Sequence, residues 1–188
     1  MQGFVKDFIV TIRAIRKDKE ELMKKDPSIE RTYQIFFHTG FQLLILYRLS
    51  HLFYRYELRF LSFLIHYISK ILYSADISPA AVIDPGVVID HAIGVVIGST
   101  TTVGSGTLIY HNVTLGARNI QKGKRHPDIG KNVLIGSGAK ILGPVRIGDN
   151  ARIGANSVVL DDVPNGATFV GIPARQVFEN LEKIEWII

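Results

Sequence analysis

The sequence contains no cysteine, which excludes disulfide bonds and cysteine-based catalysis. A chain without cysteine fits a reducing compartment, and we predict that this protein is cytoplasmic. No secretory signal peptide is expected, because Lys6, Asp7 and Arg13 interrupt the apolar residues near the N-terminus. The hydrophobic share of 47% is ample for a folded core and too high for a disordered chain.

The sequence also lacks an apolar run long enough to cross a membrane, which needs roughly 20 consecutive apolar residues. Its most apolar segment, residues 41–72, is interrupted by Arg48, Arg55, Glu57 and Arg59. We therefore predict no membrane span. The segment is interpreted as buried helix, with an interfacial helix as the lesser alternative.

The larger part of the chain has no excess of positive charge. Residues 76–188 contain ten basic and ten acidic residues, whereas residues 1–75 contain twelve basic and seven acidic residues and so carry the whole net charge of +5. The basic residues of the first part are scattered among apolar ones, which is typical of solvated helix faces. We therefore predict no binding of nucleic acid.

Several motifs that would carry a function are missing as well. There is no P-loop, no GxGxxG followed by a strand–helix unit and no GxSxG. No histidine has a metal-ligand spacing with Asp or Glu, so we predict no metal site. His38, His51 and His66 lie in helical pattern and are interpreted as packing or surface residues.

What the first part of the chain does have is helical periodicity. Apolar residues at helical spacing predict helices over about residues 1–25, 28–39 and 41–73. Together they predict an α-helical N-terminal domain, residues 1–75. The period then changes from that of a helix to six residues at Asp76.

Residues 76–163 follow a six-residue repeat that is rich in glycine and β-branched residues, which excludes a helix. The repeat is expected to end at Asp161–Pro164, within a predicted second domain of residues 76–177. The repeat is led by aliphatic residues, namely Ile77, Ile83, Ile89, Val95, Val113, Ile129, Ile135, Ile141, Ile147, Ile153 and Val159. A second set covers the gap in this series, namely Ile97, Val103, Ile109 and Leu115. This short period predicts a parallel β-helix, in which three repeats close a coil and the aliphatic residues stack inside. A β-sandwich would need alternation with turns every 8–12 residues or so, which is absent.

A charged pair, Asp90-His91, interrupts the repeat where other coils carry Gly, Ser, Ala or Asn. At three repeats per coil, Asp76 should lie near the level of His91. A carboxylate beside an imidazole fixes its tautomer and makes it a better base. The alternative remains open that Asp76 caps the first strand and that His91 is a surface residue.

The second interruption is a loop, residues 117–128, because the interval from Val113 to Ile129 exceeds two repeats by four residues. Its end carries Arg125 and His126, and it also contains Arg118, Lys122 and Lys124. This basic group suggests an anion site, and a solvated loop tip is the alternative. His111, on the coil, is a further candidate to line a cleft.

These residues lie in motifs that resemble the serine O-acetyltransferases, a family of hexapeptide-repeat acyltransferases. The resemblance covers about residues 25–177. The runs that carry it are Asp26-Pro27, Asp76-Ile77-Ser78-Pro79-Ala80-Ala81, Ile89-Asp90-His91-Ala92, Gly94-Val95-Val96-Ile97-Gly98, Val113-Thr114-Leu115-Gly116, Gly123-Lys124-Arg125-His126-Pro127, Gly136-Ser137-Gly138-Ala139-Lys140 and Gly171-Ile172-Pro173-Ala174-Arg175.

The resemblance implies a fold, an activity and partners. The fold is an α+β architecture in which the α-helical N-terminal domain precedes a left-handed parallel β-helix of hexapeptide repeats. The activity is acetyl transfer from acetyl-CoA to the hydroxyl of L-serine, giving O-acetyl-L-serine for cysteine biosynthesis. The assembly is a homotrimer or a hexamer formed by two trimers, commonly inhibited by cysteine. The tail, residues 178–188, would contact cysteine synthase through Ile188.

The resemblance also implies roles for particular residues. His91 would be the general base, Asp76 its orienting partner and His126 the second active-site histidine. In the substrate site, Asp26 and Asp90 would hold the serine ammonium and Arg125 the carboxylate. Small residues near the CoA arm would be Ala117, Ser137 and Ala155.

Some positions depart from the family pattern. The family usually has Gly-Thr-Gly where this chain has Ala117-Arg118-Asn119, and Gly-Glu-Thr where it has Gly98-Ser99-Thr100. His111 stands where Gln is common. Two alternatives therefore stay open: the same chemistry on another hydroxyl acceptor such as a sugar, and a non-catalytic scaffold or regulator of cysteine synthase.

Overall fold

The computed structural model describes residues 2–178 and contains four helical elements followed by short strands. The helices are α1 Gln2–Lys25, a 3₁₀ helix Thr32–Phe37, α2 Thr39–Arg55 and α3 Arg59–Tyr73. The strands are β1 Asp76–Ile77, β2 Val82–Ile83, β3 Val88–Ile89, β4 Val96–Ile97, β5 Thr102–Val103, β6 Leu108–Ile109, β7 Thr114–Gly116, β8 Asp128–Ile129, β9 Leu134–Ile135, β10 Lys140–Leu142, β11 Arg146–Ile147, β12 Arg152–Ile153, β13 Val158–Val159, β14 Thr168–Val170 and β15 Arg175–Val177.

The strands wind into a three-sided parallel β-helix. Sheet A has the order β1-β4-β7-β10-β13, sheet B the order β11-β8-β5-β2, and sheet C the order β15-β14-β12-β9-β6-β3. In each two-residue strand of the repeat the second side chain is buried, and these side chains stack into one apolar column. The predicted fold class, helices followed by a left-handed parallel β-helix, is confirmed.

The register of the coils places the two interruptions. Along sheet A, Asp76 pairs with Val96, Val96 with Thr114, and Thr114 with Lys140, which are steps of 20, 18 and 26 residues. An undisturbed coil therefore has 18 residues, the coil with Asp90-His91 has two more, and the coil with the loop has eight more. The two-residue insertion explains the second aliphatic set in the sequence. The figure of four extra loop residues was too low, because it was counted from Val113, a corner residue, whereas the strand residue in register with Ile141 is Leu115.

Two helix predictions differ from the structure. Residues 28–39 were expected to be α-helical, but only the 3₁₀ helix Thr32–Phe37 forms there, after a turn that Asp26 closes by accepting a hydrogen bond from Ser28 N. The single helical segment 41–73 is divided into α2 and α3 at Glu57, which has a left-handed φ of 58°. The division turns the chain back, so that α3 packs along α2.

Helix α2 covers the open end of the β-helix. Leu43, Leu44 and Tyr47 share one core with the inward residues of the coils, and the Tyr47 hydroxyl donates to Ala81 O over 2.6 Å. Gly40 allows this close approach, because a Cβ there would lie 1.8 Å from Ile89 O. The start of α2 therefore lies directly against the end of β3, beside Asp90.

A buried ion pair joins α1 to α2 at the same end. The Arg48 guanidinium donates to both carboxylate oxygens of Asp18 at 3.0 Å, and Asp18 is 1% exposed. Arg48 also donates to the carbonyls of Ile83 and Asp84, and Gly86 N donates to Asp18. Burial raises the pKa of Asp18 despite the opposing effect of Arg48. These bonds fix both helices to the first coil.

The C-terminal coil extends beyond Pro164, where the repeat was expected to end. Strand β14 still pairs with β12, and β15 then turns back antiparallel to β14. Of the predicted tail, residues 178–188, only Phe178 belongs to the part that the structure describes, so the proposed contact through Ile188 lies outside it. Within residues 2–178, none of the helices combines the length and apolar character needed to cross a bilayer.

Candidate active site

The predicted site residues are distributed over two long edges of the β-helix. The corners that connect sheet C to sheet A form one edge, which we call the His91 edge. The corners that connect sheet A to sheet B form the other, which we call the loop edge. Asp90-His91 lies on the first edge, between β3 and β4. The loop with Arg125-His126 lies on the second, between β7 and β8. The two edges flank sheet A on opposite sides.

The inserted residues give the His91 corner its shape. His91 and Ala92 both have a left-handed φ of 61°, a conformation that is uncommon outside glycine. The backbone is held by Ile93 N, which donates to His91 O over 2.7 Å, and by the Thr39 hydroxyl, which donates to the same oxygen over 3.2 Å. The turn projects the imidazole outward, with 69% of the side chain exposed.

Two predicted acidic residues converge beside His91, with a histidine between them. His38 Nε2 lies 3.7 Å from Asp26 Oδ2 and 3.7 Å from Asp90 Oδ1. The other oxygen of Asp90 lies 3.6 Å from His91 Nε2. Asp26 follows α1, His38 begins α2 and Asp90 follows β3, so three elements supply this cluster. His38 was interpreted from sequence as a packing or surface residue, because its pattern gave no sign of these contacts.

A small cavity of about 100 Å³ opens beside the same carboxylates. Asp26, Asp90 and Tyr110 line it, together with Lys25 and apolar residues of α1, β3 and β6. Burial raises the pKa of the Tyr110 hydroxyl, and the charges of Asp90 and Asp26 raise it further. Tyr110 therefore stays a neutral phenol here, and the cavity presents two carboxylates within a partly apolar wall.

Further residues of the site continue along the His91 edge. The ring of His111, one coil on, packs edge-on against His91 with centroids 5.7 Å apart. Ser137 and Ala155 occupy the next two corners, and backbone hydrogen bonds connect Gly138 N to His111 O and Asn156 N to Ser137 O. Two of the three small residues predicted near the CoA arm thus lie in line with the predicted base.

Asp76, the predicted orienting partner of His91, is bound elsewhere in the single chain. Its carboxylate accepts from His66 Nε2 over 2.9 Å and from Lys70 Nζ over 2.5 Å, both on α3. Burial would raise the pKa of Asp76, but the bonds from Lys70 and His66 outweigh it and lower the pKa. In residues 2–178, no ion pair within 4.0 Å joins Asp76 to His91. Asp76 is an ionised group on sheet A, between the two edges.

On the loop edge, Thr100 fastens the end of the loop to the coil. Its hydroxyl oxygen accepts from Arg125 N over 3.2 Å and from His126 N over 3.1 Å. His126 Nδ1 lies 2.9 Å from that hydroxyl and accepts from Thr100 N over 3.2 Å. Gly98 leaves the space for the ring, since a Cβ there would lie 2.1 Å from His126 Cδ2.

These bonds fix the tautomer of His126. Because a backbone N–H only donates, Nδ1 must accept, and the proton of the neutral ring is on Nε2. Burial lowers the pKa of His126, and the neighbouring Arg125 and Lys124 lower it further. His126 is therefore a buried neutral imidazole that can offer an N–H donor.

Arg125 and Ala117, the remaining predicted residues, also lie on the loop. Arg125 is half-buried and its guanidinium donates to Gln121 O over 2.9 Å, which leaves further N–H groups for a ligand. Ala117 is exposed and directly follows β7. A cavity of about 350 Å³ beside the loop is lined by Arg118 and Arg125.

The structure thus brings Asp26, Asp90 and His91 together, and places Arg125 and His126 together on another edge. Sequence reasoning missed His38 and Thr100. Thr100 stands in a stretch noted as different from the family, and nothing in the sequence singled it out. In residues 2–178, no group of three or more His, Asp or Glu side chains is arranged to hold a metal ion.

Comparison with known proteins identifies the family that shares this fold. A family model, bacterial transferase hexapeptide (six repeats), matches residues 126–161. The serine acetyltransferase of Synechococcus elongatus is 40% identical over 174 residues, which are 92% of this chain and 71% of that protein. The crystal structure of Neisseria gonorrhoeae serine acetyltransferase in complex with serine matches with a TM-score of 0.88 at 36% identity, over 94% of this chain and 72% of that chain. A serine acetyltransferase in complex with CoA matches with a TM-score of 0.87 at 35% identity, over 94% of this chain and 73% of that chain.

The coil of hexapeptide repeats and the matching family model define the class of this protein, a hexapeptide-repeat transferase. Within that class, 40% identity to a relative of which this chain covers 71% is decisive: the chain belongs to the serine acetyltransferase family. The resemblance read from the sequence motifs is confirmed.

Proposed function

We propose that this protein transfers the acetyl group of acetyl-CoA to the hydroxyl of L-serine, giving O-acetyl-L-serine and CoA, in cysteine biosynthesis. The observation that carries this function is the convergence of Asp26, Asp90 and His91 at one corner of the coil. The chain belongs to the serine acetyltransferase family, and its corner holds an exposed base next to two carboxylates. Because a chain without cysteine fits a reducing compartment, the enzyme is proposed to act in the cytoplasm.

The acceptor site is proposed to lie at the cavity beside Asp26 and Asp90. An amino-acid zwitterion needs an anionic anchor for its ammonium group, which these carboxylates supply. It also needs a cationic anchor for its carboxylate, which we assign to Arg125, with the Nε2–H of His126 as a further donor. A neutral sugar would need neither anchor, which favours an amino acid as acceptor.

His91 is proposed to act as the general base. As the serine hydroxyl oxygen attacks the thioester carbonyl carbon, the imidazole takes the hydroxyl proton and a C–O bond forms. When the tetrahedral intermediate collapses, the C–S bond breaks and the imidazolium returns the proton to the CoA thiolate. An ionised Asp76 would stabilise the imidazolium from sheet A, and a direct bond to His91 requires that Asp76 exchange its present partners, His66 and Lys70.

The pantetheine arm of acetyl-CoA is proposed to lie along the His91 edge. Successive coils of a parallel sheet are about 4.8 Å apart, so His91, His111, Ser137 and Ala155 form a straight row. The small side chains of Ser137 and Ala155, at the last two corners of this row, leave room for an extended arm and expose backbone groups to it. Ala117, on the loop edge, would contact the arm from the other side.

A complete site is proposed to need a second copy of the chain. In one chain His91 and Arg125 lie on opposite edges of sheet A, so the edge of one subunit would meet the loop of the next. Such a contact joins two different surfaces, and contacts of this kind form a ring when their rotation closes, which supports a homotrimer. Helix α3 exposes an apolar face that supports a further contact, as in a hexamer, with Phe60, Phe63, Tyr67, Ile71 and Leu72. Binding of cysteine synthase by the tail stays a prediction.

The experiment that tests the function replaces His91 by asparagine. Asparagine tolerates the left-handed backbone of this corner but cannot take a proton. With serine and acetyl-CoA, we expect kcat/KM to fall at least a hundredfold, roughly the contribution of a general base, while the oligomer persists. Thiol release from acetyl-CoA is the measurement, repeated with homoserine, threonine and simple sugars as acceptors.

His51→Asn serves as the matched control. His51 lies on α2, away from the corner, and its ring is bonded to Pro79 O at 2.8 Å, a contact that an amide can keep. This variant should retain the wild-type rate. Full turnover by His91→Asn would refute the role of the base, and turnover with sugars but not with serine would refute the acceptor.

A further inference from the structure

His38 occupies a position that the proposed chemistry does not explain. Its side chain is 13% exposed, and Nε2 lies at the same distance, 3.7 Å, from a carboxylate oxygen of Asp26 and one of Asp90. These are the two residues assigned above to the acceptor's ammonium group. Nε2 therefore faces both carboxylates at ion-pair distance, slightly beyond that of a hydrogen bond.

The local structure fixes which ring nitrogen carries the proton. His38 is the N-cap of α2, and its Nδ1 accepts from Phe41 N over 3.2 Å. An N-cap side chain must be an acceptor, so the proton of the neutral ring is on Nε2 and is directed at the carboxylates. Gly40 holds the cap against β3, since its Cβ position is 1.8 Å from Ile89 O and 3.3 Å from His38 Cε1.

The carboxylates are oriented from their outer sides as well. Asp26 Oδ1 accepts from Ser28 N over 2.9 Å and from the Ser28 hydroxyl over 2.6 Å, which leaves Oδ2 towards His38. Asp90 faces His38 with Oδ1 and His91 with Oδ2. Ser28, Asp26, His38, Asp90 and His91 thus form a continuous row that ends at the proposed base.

Two carboxylates close together repel each other, and one tends to take a proton unless a neighbouring group offsets the repulsion. The Nε2–H of His38 offsets part of this repulsion, because it presents positive charge density to both carboxylates. The pair is then held at a spacing that suits an ammonium group. A cap without the N–H would leave the helix intact but the carboxylates unsupported.

We propose that His38 is a positioning residue of the acceptor site: as the N-cap of α2 it holds Asp26 and Asp90 as a joint anchor for the primary ammonium group of the acceptor. The inference rests on the proposed function, since it takes an amino acid as the acceptor. It adds to that function the residue that sets the affinity for the amino group.

Two substitutions separate the cap from the anchor. In His38→Asn, the amide oxygen can take the place of Nδ1 as the cap acceptor, but no donor reaches the carboxylates. In His38→Gln, the amide nitrogen can take the place of Nε2, but the cap is lost. The two variants therefore remove one function each, and both are compared with the wild type.

For His38→Asn, we expect the KM for serine to rise about tenfold, because the carboxylates lose the polar N–H group that faces them. Its kcat, its KM for acetyl-CoA and its Tm should stay close to wild type. For His38→Gln, we expect the KM for serine within about threefold of wild type and a Tm lower by about 3 °C, because the cap is lost. Steady-state kinetics and thermal unfolding measure these quantities.

The outcomes distinguish this inference from the proposed function. If wild type acetylates serine and both variants keep the wild-type KM for serine, the role of His38 is refuted while the function stands. The same holds if His38→Gln raises that KM more than His38→Asn does. If wild type does not acetylate serine, the function is refuted. Calorimetric titration with serine then tests His38 alone: weaker binding by the Asn variant supports it, and equal binding, or none to wild type, overturns it.

Discussion

The three histidines proposed for the site differ in the hydrogen bonds that their rings make. His38 and His126 each accept a backbone N–H at Nδ1, from Phe41 and Thr100, and so present Nε2–H. His91 has no such bond among the described residues and projects from a left-handed turn. This contrast suits the proposed roles, because a donor needs a fixed proton whereas a base needs a free nitrogen.

His126 should make the protein sensitive to acid. Its pKa is lowered in the folded state by burial and by Arg125 and Lys124, so the unfolded state binds the proton more readily. The stability that neutral His126 contributes is present above its unfolded pKa of about 6.5 and is lost as the pH falls through the lower folded value.

In His126→Asn, the amide oxygen still accepts from Thr100 and does not titrate. We expect the free energy of unfolding to fall less between pH 7.5 and pH 5.5 in this variant than in wild type. Equal losses, measured by urea unfolding, would contradict the assignment.

At the scale of elements, a loop and a coil corner are joined by one hydroxyl group. The eight extra residues of the loop coil leave the regular path after β7 and return to it at β8. Thr100, on the preceding coil, receives the returning chain through the N–H groups of Arg125 and His126, and Lys124 Nζ donates to Thr100 O over 2.7 Å. The position of the proposed carboxylate anchor therefore depends on a residue outside the loop.

Replacing Thr100 by valine should release the end of the loop. Valine has nearly the same shape, but leaves two backbone N–H groups and His126 Nδ1 without the hydroxyl. We expect a loss of about 1–3 kcal/mol in the free energy of unfolding, faster cleavage by trypsin at Lys122, Lys124 or Arg125, and a higher KM for serine. Thr100→Ser keeps the hydroxyl and should behave as wild type. If the two variants are cleaved at the same rate, the hydroxyl does not hold the loop.

Much of this architecture could be predicted from the sequence, because a β-helix repeats one short-range rule. The six-residue period identified the coil, and its interruptions identified Asp90-His91 and the loop. The predictions that were wrong concern helices, the length of the loop insertion and the end of the coil. Residues 28–39 are an example, because Pro27 and the turn at Asp26 compete there with helical periodicity. His38 was missed because its contacts are formed by three segments that are distant in sequence. Periodicity gives the positions along a coil but not the neighbours across it.

At the scale of the whole molecule, the helices and the coil divide the tasks of the proposed site. Helices α1 and α2 cover the first coil and carry Asp26 and His38 to the His91 edge. The buried pair of Asp18 and Arg48 fixes both helices to that coil, so the acceptor anchor and the base move as one unit. The loop edge is built on later coils and carries the complementary charge, Arg125. One chain therefore presents two halves of a site on different surfaces.

Mixing two inactive variants tests whether the halves meet between subunits. His91→Asn lacks the base and Arg125→Ala lacks the carboxylate anchor, so each alone should be nearly inactive at low serine concentration. In a ring, a site is intact when an Arg125→Ala subunit supplies His91 and the next, a His91→Asn subunit, supplies Arg125.

With random co-assembly in equal amounts, about one quarter of the sites are intact, because each of the two conditions is met half the time in a heterologous ring. Co-expressed variants should therefore regain about a quarter of the wild-type kcat/KM for serine, whereas variants purified separately and mixed without exchange should not. If each site lay within one chain, no mixture would recover activity, and the absence of recovery in verified mixed oligomers would show it.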